Sequence, residues 1–110
     1  MTAAFDATTT TLEFSDLAEA QCPDGVLATG LAVLARTDAL EVGVWEHPVG
    51  RSTDIETDEV FVVLSGSGRV ILEDGSTLVL RPGTVGVLDA GTRTVWEIDE
   101  PLRKVWLVER

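Results

Sequence analysis

Between Gly50 and Gly66 the sequence reads GRSTDIETDEVFVVLSG, with Asp54, Glu56, Asp58 and Glu59 crowded ahead of an apolar run. Oxygen donors at that density suit a hard cation such as Ca²⁺ or Mg²⁺, which wants several of them. The spacing is not that of an EF-hand loop, so a divalent metal is a minor expectation. A carboxylate held among apolar groups has another use, because burial raises its pKa and fits it for acid–base work. Side chains on a strand alternate faces. If Glu59 points inward, Phe61 and Val63 follow it and Ile55 and Thr57 precede it. Asp54, Glu56 and Asp58 are then expected on the opposite face, as a solvated acidic edge.

His47 is the only histidine and shares strand parity with Trp45. With Glu59 it is the candidate catalytic pair, His47 as the proton carrier; the alternative is a structural histidine with both nitrogens satisfied. Trp45, Trp96 and Trp106 either fill a core or wall a ligand site. Lys104 shares parity with Trp106 and either reaches a buried carboxylate or snorkels to the surface. Cys22 precedes Pro23 in a loop with no basic neighbour, so nothing marks it as a reactive thiolate.

These groups need a scaffold, and the punctuation suggests one. Turn signals recur at 23–25, 37–39, 47–50, 66–68, 73–75, 81–83, 89–91 and 99–101, with Val-, Leu-, Ile- and Trp-rich runs between them. That pattern predicts an all-β sandwich or barrel. Expected strands cover 9–14, 31–36, 40–46, 60–64, 69–73, 77–80, 84–88, 94–98 and 104–108, with one helical turn at 16–20. The run VFVVL is apolar on both parities, so both of its faces should be covered. One face would meet the barrel interior and the other a second sheet or a partner subunit, which favours a homodimer.

The chain has 110 residues, enough for one domain with its own core. A formal net charge of −11 argues against nucleic acid and anionic membranes as partners. A single cysteine and no basic-then-apolar N-terminal segment suggest a cytoplasmic protein. No apolar run is long enough to span a bilayer.

Two spacings carry a resemblance: Glu59, six residues, Gly66; then Gly83, five residues, Asp89-Ala90-Gly91. With Gly43-Val44-Trp45, Asp58-Glu59, Trp96 and Arg103-Lys104-Val105-Trp106, these resemble the two motifs of the cupin superfamily. The small single-domain cupins grouped with the (S)-ureidoglycine aminohydrolase cupin domain are the nearest in pattern. The resemblance covers roughly residues 40–108. It implies an RmlC-like jelly roll, a double-stranded β-helix barrel with a pocket in one mouth. The expected layout is one domain over 1–110, with N-terminal strands and an arm at 1–38 and the barrel core at 39–108.

Metal-binding cupins carry two histidines upstream of the motif glutamate and a third in the second motif. The resemblance maps the first pair to Ser52 and Asp54 or to Thr53 and Ile55, and the third to Thr94. None is histidine, and Asp89 stands where the second motif has proline. Of the four ligand positions only Glu59 keeps its residue type. Imidazole nitrogens dominate transition-metal sites of this kind, so no metal residues and no cofactor are expected. Thr94 at the third position faces inward by the same mapping, which brings Trp96 with it, and a lysine recurs in the resembling family at Lys104. The expectation is a metal-independent small-molecule pocket, with Glu59 and His47 as candidate catalytic residues and Trp45, Phe61, Thr94, Trp96, Lys104 and Trp106 lining it. An aminohydrolase- or isomerase-like enzyme, using Glu59 and His47 or a weak metal site, is the alternative. A third possibility is an interaction protein whose barrel is filled by its own side chains.

Overall fold

The computed structural model describes all 110 residues. Eight strands form it: β1 (Glu13–Asp16), β2 (Ala28–Arg36), β3 (Leu40–His47), β4 (Gly50–Ile55), β5 (Glu59–Leu72), β6 (Thr77–Leu80), β7 (Val85–Leu88) and β8 (Arg93–Glu109). They are antiparallel throughout, ordered β1-β2-β3-β8-β5-β6, with β4 added to β8 and β7 to β5. The only helical element is a 3₁₀ turn at Glu19–Gln21, later and shorter than the turn expected at 16–20. No helix is long and apolar enough to cross a membrane.

β5 and β8 are the spine. They pair from Val60 opposite Leu107 to Leu72 opposite Thr94, shifting register between Val63 and Gly68. On one side of that break β8 pairs with β3 and β5 with β7; on the other, β8 pairs with β4 and β5 with β6. The two strands therefore turn a corner together and belong to both layers of the roll. The sequence expected a turn at 66–68 and another at 99–101, splitting each spine strand in two. Both signals are bulges instead. Gly66 has φ +86°, open to glycine, and a Cβ there would overlap the Pro101 carbonyl oxygen. Pro101 lacks a donor and lies in the irregular stretch, where no ladder bond is asked of it.

The interior is filled at one end. Phe61, Val63, Val70, Leu80, Leu88, Ile98 and Leu102 are at most 3% exposed and join Trp96 and Trp106 in one cluster. β2 joins the same sheet through β3, so residues 28–36 are continuous with the barrel. Outside β2, Arg103 donates to the carbonyls of Ala7, Thr8 and Thr10 and pairs with Glu46, fastening the N-terminal segment across the sheet. The outward face of VFVVL is uncovered in the single chain: Val60 and its neighbours Val85 and Val87 on β7 are exposed.

Gly43 shows how tightly the layers meet. It faces Trp106 across the β3–β8 pair, and a Cβ there would strike both the Trp106 indole and the Ala32 carbonyl oxygen. The backbone oxygen cannot swing aside as a side chain can. Gly43→Ala is therefore expected to lower the unfolding free energy by about 1–3 kcal/mol, the usual cost of overpacking, measurable as a lower urea midpoint followed by tryptophan fluorescence.

Candidate functional site

The other end of the roll is open. A chamber of about 270 Å³ lies between β2, β3, β4, β5 and β8, with the 3₁₀ turn at its lip. Its walls include Trp45 and Leu31, Ser52 and Asp54, Glu59, and the alternating β8 residues Trp96, Lys104, Trp106 and Val108. Alternation on β8 survives the corner because Ile98 and Leu102 are four positions apart, an even step. Thr94, Trp96, Ile98, Leu102, Lys104 and Trp106 are accordingly all buried.

At the back of the chamber is an ion pair in an aromatic box. Lys104 Nζ donates to Glu59 Oε2 at 2.6 Å, and the two side chains are only 6% and 16% exposed. The same ammonium lies 4.6 Å from the Trp45 ring centroid and 4.7 Å from those of Phe61 and Trp96. Three π-faces and one carboxylate thus replace the water an ammonium loses on burial. Of the two expectations for Lys104, a buried partner rather than snorkelling is found. Phe61 itself is fully buried and lies behind the chamber, not on its wall.

The acidic stretch departs from its expected parity. Ser52, Asp54 and Glu56 face inward and Ile55 is 56% exposed, the reverse of the expectation. β4 ends at Ile55 and β5 begins at Glu59, so residues 56–58 form a loop that absorbs one step of alternation. That slip lets Glu56 and Glu59, three residues apart, face the same space. Asp58 is exposed as expected and accepts from the Ala90 amide at 2.8 Å, whereas Asp54 is exposed too but at the mouth of the chamber. Glu56 is 8% exposed, and its Oε2 accepts from the Thr94 hydroxyl at 2.6 Å and the Trp96 indole N–H at 2.9 Å. Thr94 is therefore a bracket for Glu56 and does not reach the chamber wall. Asp54 lies at the lip, bonded to the Ile55 amide and to Gln21 Nε2. Burial first, and the Glu56 charge second, push its carboxyl above the ordinary 3.8.

His47 corrects the acid–base expectation. It is wholly buried and is absent from the chamber wall. Its Nδ1 lies 2.6 Å from the Pro48 carbonyl oxygen, which can only accept, so Nδ1 carries the proton. Nε2 then accepts from the Ser52 hydroxyl at 2.8 Å. Burial pulls its pKa below 6.5, against the pull of the Pro48 bond and helped by Lys104. The ring is spent on both nitrogens and braces Ser52 from behind. Trp106 Nε1 is the one buried side-chain polar atom with no partner. Ser52, Glu56, Leu17 and Gln21 were not anticipated at the site. The first two were hidden by the loop's parity slip, and the last two are brought there by the chain's return across the mouth.

Two measurements follow. Glu59→Gln strands the ammonium and Lys104→Met strands the carboxylate, each expected to cost about 3 kcal/mol. The double variant should lose less than the sum by at least about 1 kcal/mol, read from urea unfolding as a double-mutant cycle. For Asp54 the raised folded pKa means its stabilising contribution is present below 3.8 and lost as pH rises through the folded value. Asp54→Asn should therefore melt higher than the wild type at pH 7, and the gap should close as pH falls towards 3.8.

Residues 34–106 match the EutQ-like cupin domain model. No curated protein is detectably similar in sequence. Among solved structures, EutQ from Clostridium difficile superposes with a TM-score of 0.67 at 15% identity, over 76% of this chain and 68% of that one. Ectoine synthase from P. lautus gives 0.64 at 17% identity, over 84% and 66%. A DUF861 family protein from Thermotoga maritima gives 0.54 at 31% identity, over 57% and 73%. The first two likenesses establish the jelly-roll fold. With the family model spanning most of the barrel and both motif segments, the chain belongs to the EutQ-like cupin domain family.

Proposed function

We propose that the chamber is a small-molecule-binding pocket that works without a transition metal, its fixed positive charge being the Lys104 ammonium. The observation that carries this reading is the 2.6 Å bond from Lys104 Nζ to Glu59, the one motif ligand position that keeps its residue type. The remaining positions do not fit an ion. On the Ser52 and Asp54 mapping, the Ser52 hydroxyl is hydrogen-bonded to His47 Nε2 and the Thr94 hydroxyl donates to Glu56, which leaves Asp54 as the single free donor. No three histidine, cysteine, aspartate or glutamate side chains come close enough to hold one ion. An incoming cation would also meet Lys104 at the carboxylate it needed, and like charges a few ångströms apart in a dry site repel strongly.

The enzymatic alternative finds support in a different residue from the one expected. His47 is walled off, whereas Asp54 lines the chamber with a carboxyl held above its ordinary range. Proton transfer, were the ligand turned over, would fall to Asp54. The likeness to the ureidoglycine aminohydrolase group rests on sequence motifs and would make ureides the first substrates to try.

Elemental analysis of untagged protein is the direct test of the metal-free reading. Less than about 0.1 equivalent of Mn, Fe, Ni, Cu or Zn per chain is expected, since a resident ion would be held through purification. A stoichiometric metal would sink it. A melting screen of ureides, amino acids, amines and sugars then tests the pocket, because a ligand at 100 times its Kd adds about 2.7 kcal/mol.

A further inference from the structure

The chamber's charges do not balance. Glu59 and Lys104 cancel, which leaves Asp54 and Glu56 facing the same space with no basic partner. Glu56 is the more telling. A carboxylate 92% removed from solvent usually has a cation beside it. Here only neutral donors hold it, and both fall on Oε2. Oε1 takes no hydrogen bond from the protein, and Glu56 meets the outside through the chamber it lines. The same chamber is walled by the apolar surfaces of Trp45, Trp106 and Leu31. An anion has no free cation to greet it, since Lys104 is enclosed by Glu59 and three rings.

Resting on the pocket reading above, we propose that the chamber selects a small organic cation, an alkylammonium whose charged nitrogen sits between Asp54 and Glu56 Oε1 and whose hydrocarbon lies on the tryptophan wall. The volume of about 270 Å³ is at the low end for ligand pockets, which suits a molecule of a few carbons. A charged donor bonded to a carboxylate is stronger than a neutral one, so the nitrogen would take the place of water at Oε1, which opens on the chamber. It also offsets the repulsion between the two carboxylates.

The test uses three probes of similar size, n-butylammonium, n-butanol and butyrate, titrated into the ¹⁵N-labelled full chain at fixed ionic strength. The indole N–H signal of Trp96, which donates to Glu56, reports the site. Butylammonium is expected to shift it saturably, with Kd at least tenfold lower than for either other probe. Asp54→Asn should raise that Kd tenfold or more. Glu56→Gln should do the same if it folds, while Glu13→Gln on the exposed β1 should leave it unchanged. Equal or tighter binding of butanol or butyrate would overturn the cation assignment and leave the pocket standing. A butylammonium response that survives Asp54→Asn would also overturn it, as general attraction to an acidic protein. No response to any probe would remove the assignment and count against the pocket as well.

Discussion

An ammonium cannot leave water without a replacement for its hydration, and Lys104 has a costly place to fill. Glu59 and the rings of Trp45, Phe61 and Trp96 supply that replacement, and each must be within a few ångströms for the lysine to stay buried. Those four groups come from β3, β5 and the stretch of β8 before its corner, and Lys104 from the stretch after it. The pair thus ties the two layers of the roll together at the base of the chamber. Because an unpartnered buried charge is far worse than none, the arrangement tolerates little drift in any of these strands.

The corner in β5 and β8 makes that convergence possible. Both strands run unbroken from one layer to the other, and the bulges between Val63 and Gly68 adjust their pairing without flipping the inward set on β8. Trp96 lies before the corner, Lys104 and Trp106 after it, and all three reach the same space. A turn at Gly66 or Pro101 would have ended the strands there and separated the groups. The bulk packed beyond them, Phe61, Val63, Leu80 and Leu102 among others, closes one end of the barrel and leaves the other to the site.

Around this base the polar groups form two brackets. His47 and Ser52 make one, with the imidazole fixed in one tautomer by the Pro48 carbonyl. Thr94 and Trp96 hold Glu56 in the other. Ser52 and Thr94 are thus given to internal hydrogen bonds, and the groups that line the chamber are chiefly carboxylates, indoles and one lysine. Membership of the EutQ-like family fixes the roll and says less about the chemistry, since the solved relatives share the barrel at low identity.

The sequence determined a good deal by itself. Regular turn signals and β-rich runs specified an all-β roll, and the spaced glycines with Glu59 pointed to the cupin barrel. Strict alternation grouped Thr94 with Trp96 and Lys104 with Trp106, because a period of two is a local property of extended chain. What it could not determine was anything that depends on where alternation breaks. Residues 56–58 slip by one, so Glu56 enters the chamber and Ile55 leaves it. Gly66 and Pro101 suit a turn and a bulge equally by their own preferences, and the pairing of β5 with β8 decides for the bulge. His47 has the parity for a site residue and yet is sealed behind Ser52, since burial is decided by neighbours distant in the chain. Only the folded structure sets those contacts, and with them the charges that share the chamber.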